Sequence, residues 1–168
     1  MKKFRILLLF LSLFLLVGCN ETLEEKEEEF DNSYEDTINN TGDYDIGESF
    51  DFMDFEITVG KVDSFVKIEK DLSNDNGKTV AKVPITVKNI GTSNDHLSMF
   101  YYKLYGPNGK EISSKGEHFN DSIDYADDLA PNTKYTKYLY IPFSGNGGYV
   151  LEFNNFSSKV KIVIGLKK

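Results

Sequence analysis

Carboxylates are the side chains whose spacing in this sequence comes closest to a chemical site. The stretch 117–128 (EHFNDSIDYADD) places Asp121, Asp124 and Asp127 at every third position. Oxygen ligands at short spacing suit Ca²⁺, but an EF-hand loop alternates its ligands at every second residue. We therefore predict no metal here and interpret the stretch as a solvated acidic loop. A calcium site at the three aspartates is the alternative.

The two histidines do not predict an active site. His118 has Glu117 and Asp121 close to it in the sequence, but no nucleophile elbow singles out a serine that could complete a catalytic triad. Two histidines are also too few for a zinc site when the one cysteine has another use. The glycines of 145–148 are typical of a hairpin turn rather than of a phosphate-binding loop. We expect a protein without enzymatic activity and without a cofactor.

The single cysteine, Cys19, follows a segment with the features of an export signal. Residues 1–5 carry three positive charges, and residues 6–17 form an apolar run interrupted only by Ser12. The run is too short to span a membrane as a helix, which needs about 20 apolar residues. The order Leu-Val-Gly-Cys at 16–19 resembles the lipobox of bacterial lipoproteins. An ordinary secretory signal or an uncleaved anchor is the alternative.

The lipobox resemblance implies a processing site and a location. In that family, diacylglycerol is joined to the cysteine thiol and the peptide before it is removed, so cleavage is expected between Gly18 and Cys19. The signal peptide is then 1–18, and two acyl chains make the anchoring stable. A composition rich in Lys, Asn, Ile and Phe favours a Gram-positive cell, as does the resemblance of the folded domain described below, with the protein on the extracellular face of the membrane.

The charge of the chain is strongly negative. The formal net charge is −8, and loss of the three basic residues in 1–18 makes the mature chain −11. Residues 19–46 are crowded with carboxylates and poor in core residues, which predicts a flexible acidic tether. The acidity argues against nucleic acid as a partner and against a chain that lies flat on an anionic lipid surface.

From Gly47 onwards, apolar and polar residues alternate in short runs separated by turn residues. This pattern predicts seven or eight strands over 47–168 and an all-β fold, an immunoglobulin-like antiparallel sandwich. The first run changes phase, which predicts one strand over Phe50–Val59 with a bulge near Met53. The other predicted strands are Val62–Glu69, Thr79–Asn89, Leu97–Tyr105, Lys110–Ser113, Tyr135–Phe143, Tyr149–Phe153 and Val160–Leu166.

Two motifs support a family resemblance. Residues 83–95 (VPITVKNIGTSND) resemble the strand and loop of immunoglobulin-like domains, and residues 129–135 (LAPNTKY) resemble the tyrosine corner of fibronectin type III domains. The chain is similar to immunoglobulin-like domains of unknown function in Gram-positive lipoproteins, related to a secreted mycobacterial immunoprotein. The resemblance of residues 129–135 to the tyrosine corner implies that the Tyr135 hydroxyl bonds back to nearby backbone. The chain lacks the cysteine pair and tryptophan of antibody domains, and it carries Asn132 where glycine is usual.

The aromatic content is the other unusual feature, with 10 Tyr and 13 Phe. Tyr101 and Tyr102 belong to one predicted strand, and Tyr138 and Tyr140 belong to another. Adjacent residues of a strand point to opposite faces, so Tyr138 and Tyr140 are expected outside if Leu139 is inside. These four tyrosines are a possible binding surface. The alternative is that the rings mainly fill the core.

The sequence therefore favours a non-enzymatic, membrane-anchored module of the cell envelope. We expect it to bind an envelope protein or to display a surface outside the membrane. The alternatives are a protein that binds cell-wall glycan or a small solute through the aromatic face, and a calcium-linked adhesion domain.

Overall fold

The computed structural model describes residues 42–69 and 74–168. These residues form nine strands and three short 3₁₀ helices, and the strands make two antiparallel sheets. The all-β sandwich predicted from the sequence is confirmed. The strands are β1 (Ser49–Phe52), β2 (Phe55–Val59), β3 (Ser64–Lys67), β4 (Thr79–Asn89), β5 (Tyr102–Tyr105), β6 (Glu111–Ile112), β7 (Lys134–Pro142), β8 (Gly147–Asn154) and β9 (Lys159–Leu166).

The first sheet is organised around β4. Its five strands have the order β1-β2-β4-β3, and β7 pairs with β4 as well. The 11 residues of β4 make this possible, because β3 pairs with its first part at Val66↔Val80 and β2 pairs with its second part at Ile57↔Val87.

The second sheet has four strands in the order β6-β5-β8-β9. The chain that leads into the domain lies beside β9: the backbone nitrogen of Asp43 donates to the carbonyl of Lys161 at 2.7 Å, and the nitrogen of Lys161 donates to the Asp43 carboxylate at 2.7 Å. Tyr44 and Ile46 then pack against the core. The packed domain thus begins before Gly47, the boundary predicted from the sequence.

The core lies between the sheets and follows the period of two that strands impose. From β4 it takes Ala81, Val83, Ile85 and Val87, and from β8 it takes Tyr149, Leu151 and Phe153; all seven are buried. Burial of a large apolar side chain contributes roughly 1.5–3 kcal/mol, so this alternation accounts for the pairing of the two sheets.

The predicted single strand over Phe50–Val59 is wrong, because the chain forms a hairpin there. β1 and β2 pair with Phe52 opposite Phe55, and Met53 adopts the left-handed conformation with φ of 56°. The change of phase marks this two-residue turn and not a bulge. The turn lets Phe52 and Phe55 both point inward.

The predicted tyrosine corner at Tyr135 is also wrong. The Tyr135 hydroxyl is buried, and among the described residues it has no hydrogen-bond partner. Its pKa is raised to about 12 by burial and by the nearby Asp127 charge. Tyr149 instead bonds back to the backbone, accepting from the nitrogen of Ser144 at 2.9 Å and donating to the carbonyl of Gly145 at 3.1 Å.

Two segments that connect a strand of one sheet to a strand of the other are not strands themselves. Residues 99–101 form a 3₁₀ helix that is capped by Ser98, whose hydroxyl accepts from the backbone nitrogen of Phe100 at 3.3 Å. The predicted strand over Leu97–Tyr105 is therefore confined to β5. Residues 114–128, which we name the strap, contain the other two 3₁₀ helices, Gly116–His118 and Ile123–Tyr125.

Within 42–69 and 74–168, no helix is both long and apolar enough to cross a bilayer.

Candidate functional site

The predicted lipid attachment residue Cys19 and the cleavage position at Gly18 lie outside the described residues. The same holds for the signal peptide and for residues 19–41 of the predicted tether.

Tyr138 and Tyr140 lie on the outer face of β7, but the strap covers that face. Tyr140 is only 2% exposed, and its ring stacks on Phe119 with a centroid distance of 3.7 Å and an angle of 6°. Together with Ile68 and Val80, these rings form a second small core. The expectation that Tyr140 belongs to an exposed binding face is therefore wrong.

The polar ends of this small core are also bonded. The Tyr140 hydroxyl donates to Asp121 at 2.5 Å, and Lys82 donates to the other Asp121 oxygen at 2.9 Å. Lys82 also lies 3.8 Å from the ring centroid of the half-buried Tyr138. Burial raises the pKa of Asp121, but these two bonds outweigh it and keep that pKa below its ordinary value.

The three aspartates of the possible calcium site do not come together. Asp121 bonds Tyr140 and Lys82, and Asp127 pairs with Lys137 at 3.1 Å. Asp124 has different partners, which are Tyr102 and Ser114. Within the described part of the chain, their oxygens do not form a group close enough to share one ion. The calcium alternative therefore lacks its ligand set.

Asp124 holds the strap against β5. One carboxylate oxygen accepts from the Tyr102 hydroxyl, and the other accepts from Ser114 at 2.6 Å. Burial and the bond to this carboxylate raise the pKa of Tyr102. Gly116 is packed so closely that an added Cβ would lie 1.9 Å from Asp124 and 2.0 Å from Ser122. A groove of about 350 Å³ runs beside this arrangement.

A cluster that sequence reasoning missed joins the β3–β4 turn to the strap. The ligand atoms of Asp75, Glu117 and His118 lie within 4.8 Å of one another, as a metal site requires. Lys115 lies among them, however, 2.8 Å from Asp75 and 3.7 Å from Glu117. An ammonium group therefore already supplies positive charge to this cluster. The other histidine, His96, is exposed and bonds Asp128 at 3.0 Å.

The side chains best placed to meet another molecule form what we name the aromatic groove. It has a volume of about 450 Å³ and is lined by Phe100, Tyr101, Lys103, Asn154, Asn155 and Phe156. Phe100 is 89% exposed and Phe156 is fully exposed, at 114%. Tyr101 is half-buried and packs edge-on against Phe52, with a centroid distance of 6.3 Å.

Local bonds fix both turns that carry these rings. On the Phe156 side, the Asn155 side-chain oxygen accepts from the backbone nitrogens of Ser157 at 2.9 Å and Ser158 at 2.7 Å. On the other side, Ser98 caps the 3₁₀ helix 99–101, and its hydroxyl bonds the backbone nitrogen of Phe100. Of the four predicted tyrosines, only Tyr101 lines this groove. Sequence reasoning missed Phe156, although a phenylalanine inside the turn Asn-Asn-Phe-Ser-Ser has no strand to bury it.

Comparison with known structures confirms the fold. The protein yjhA from Bacillus subtilis has 18% identity and a TM-score of 0.54, over 72% of this chain and 98% of that one. The candidate lipoprotein ycdA from the same organism has 16% identity and a TM-score of 0.51, over 74% of this chain and 39% of that one. The secreted protein MPT63 from Mycobacterium tuberculosis has 12% identity and a TM-score of 0.51, over 73% and 95%.

No curated protein matches the sequence. The profile of a domain of unknown function, DUF4352, matches residues 44–162, which cover the first sheet, the strap, the aromatic groove and the second sheet as far as the middle of β9. The chain therefore belongs to the DUF4352 family.

Proposed function

We propose that the protein is a non-enzymatic contact module of the cell envelope, held by lipid on Cys19 at the extracellular face of the membrane. Its contact surface is the aromatic groove. The observation that carries the proposal is that Phe100 and Phe156 are both exposed and line the same groove.

The location is supported by the lipobox pattern at 16–19, and the structural neighbours are consistent with it. Those neighbours include a candidate lipoprotein and a secreted protein. Their identities of 16% and 12% support the shared fold, and the location rests on the lipobox.

The contact role is supported by the energetics of exposed rings. Each phenylalanine left in water forgoes roughly 1.5–3 kcal/mol relative to a buried one. Isolated apolar side chains are common on protein surfaces, but adjoining ones around a groove mark sites of interaction. Met99, half-exposed in the same 3₁₀ helix, lines the neighbouring groove beside Asp124.

The proposal separates into two experiments in intact cells. Fatty-acid labelling tests the anchor: we expect label on the native chain and none on Cys19→Ala. A photo-crosslinking amino acid at position 100 tests the contact surface, with the same group at Ile90 as a matched control. Ile90 is 40% exposed and does not line the groove.

We expect position 100 to crosslink to an envelope protein, to wall glycan or to lipid in amounts well above position 90. Equal yields at the two positions would contradict the contact role. Fatty-acid label that survives Cys19→Ala would contradict the anchor, whatever the crosslinks show.

A further inference from the structure

We infer that the aromatic groove docks on the lipid bilayer itself, with Phe100 and Phe156 at the boundary between headgroups and acyl chains. This inference rests on the proposed function, because it names what the same groove contacts. It begins from the form of the two side chains. Rings with exposures of 89% and 114% project from the surface instead of lining a closed pocket. Rings that project in this way can insert into the lipid of a bilayer.

Both rings stand at one end of the second sheet. Phe156 lies in the turn between β8 and β9, immediately after Asn154 and Asn155. Phe100 lies just before β5, whose first residue, Tyr102, pairs with Phe153 near the end of β8. Because the turn of one strand pair adjoins the start of the neighbouring strand, the two rings form one projecting edge.

The chain enters the domain at this same end. Asp43 pairs with Lys161, the third residue of β9, and β9 begins three residues after Phe156. Cys19 precedes Gly42 by 23 residues, a length that can span at most about 80 Å. A chain anchored at Cys19 therefore need not pass along the sandwich for Phe100 and Phe156 to reach the membrane.

The surroundings of the rings suit a membrane interface. Lys103 lines the groove and Lys159 follows the Phe156 turn, and both side chains are about half-exposed. Aromatic rings beside lysines are typical of segments that lie at the boundary of a bilayer. The groove amides of Asn154 and Asn155 can bond to headgroups, which are polar at the same depth.

The acidity of the whole chain does not oppose this docking as strongly as the sequence suggested. Residues 19–41 hold nine carboxylates and one lysine, whereas residues 42–168 hold 18 carboxylates and 15 lysines. The formal charge is thus −8 ahead of the domain and only −3 within it. Lys103 and Lys159 also have acidic partners: Lys103 pairs with Glu111 at 3.1 Å, and Lys159 pairs with Glu152 at 3.4 Å. We therefore expect insertion of the rings, and not charge, to hold the groove on lipid.

The absence of tryptophan from the sequence allows a direct test. Phe156→Trp places one fluorophore in the groove, and Ile90→Trp places one at an exposed position that does not line the groove. The full chain, purified from membranes, is reconstituted into phosphatidylcholine vesicles with acyl chains brominated near the headgroup. We expect a blue shift and strong quenching for the Phe156→Trp chain, little change for the Ile90→Trp chain, and only weak dependence on salt.

A second substitution tests cooperation between the two rings. In the Phe156→Trp chain, we expect Phe100→Ala to lower the equilibrium constant for insertion of the groove into the bilayer by about tenfold. Phe100→Trp, with Phe156 intact, is an independent reporter that should show the same quenching.

The outcomes separate the inference from the proposed function. Absence of quenching at both groove positions, together with crosslinks from position 100 to a protein or to glycan, would overturn bilayer docking and leave the contact role standing. Equal quenching in the Phe156→Trp and Ile90→Trp chains would also overturn it, because contact with lipid would then not be specific to the groove. Failure of both the quenching and the crosslinking would overturn both proposals.

Discussion

The Tyr149 hydroxyl lies 2.9 Å from the backbone nitrogen of Ser144 and closes the turn between β7 and β8. Removal of this hydroxyl takes away a partly buried hydrogen bond from the backbone nitrogen of Ser144 and another from the carbonyl of Gly145. We expect Tyr149→Phe to lower the free energy of unfolding by about 1–2 kcal/mol, measured by urea denaturation.

Tyr135→Phe is the matched comparison, because it removes a buried hydroxyl without a hydrogen-bond partner among the described residues. We expect stability to stay within about 0.5 kcal/mol or to increase, since an unpaired buried polar group is unfavourable. A larger loss for Tyr135→Phe than for Tyr149→Phe would contradict the assignment of Tyr149 as the residue that bonds back to the backbone.

The ion pairs of Asp75 predict a pH dependence. The bond from Lys115, followed by that from Lys78, keeps the pKa of Asp75 below its ordinary value of 3.8. A lowered pKa stabilises the folded state above the unfolded-state pKa, and this contribution declines as the pH falls below about 4. We expect Asp75→Asn to reduce the loss in urea midpoint between pH 7 and pH 3. An unchanged loss in Asp75→Asn would contradict this contribution.

Gly116 is expected to tolerate no side chain. In Gly116→Ala the new methyl group would overlap Asp124 and Ser122, so we expect a loss of about 3 kcal/mol in the free energy of unfolding. Gly165→Ala is the control: β9 offers open space there, and alanine is favoured over glycine within a strand. Calorimetry should show a lower Tm for the first variant and an equal or higher one for the second.

The β1–β2 turn offers a stabilising substitution. Met53 adopts φ of 56°, a conformation that is unfavourable by about 1–2 kcal/mol for a residue with a Cβ. We expect Met53→Gly to raise the free energy of unfolding by up to about 1 kcal/mol. Asn132→Gly is the comparison, since asparagine already tolerates its φ of 63° and should gain less. No gain for Met53→Gly would show that the methionine side chain stabilises the turn.

The strands of the sandwich were predictable because burial repeats at every second residue. β4 has the bounds that its alternation predicts, and the Asn-x-Gly pair at 89–91, within the stretch that resembles immunoglobulin-like domains, has a structural reason. The buried Asn89 side chain bonds Ser93 and Leu129, each at 2.8 Å, and accepts from Gly91 at 2.8 Å. Similarly, Asn132 replaces the usual glycine because asparagine tolerates positive φ.

The contacts around the strap were not predictable in the same way. The Phe119–Tyr140 stack joins residues 21 positions apart in the sequence, and the Asp75–Lys115 pair joins residues 40 positions apart. The alternation of residues within a strand cannot indicate contacts between such separate positions. The alternation in β7 indicated correctly which side Tyr140 faces. It carried no information about the strap that covers that side. The aromatic groove escaped prediction for a related reason, since two separate turns form it.

The strap also changes what β7 presents to other protein chains. Unbonded N–H and C=O groups on a strand form a template to which a second molecule can add, and many β-proteins aggregate in this way. In this domain, the backbone nitrogen of Tyr138 already donates to the carbonyl of Asp121 at 3.0 Å, and the carbonyl of Tyr140 accepts from the nitrogen of Lys115 at 2.8 Å. These positions therefore cannot recruit a neighbouring copy, which matters most where many copies are concentrated on one surface.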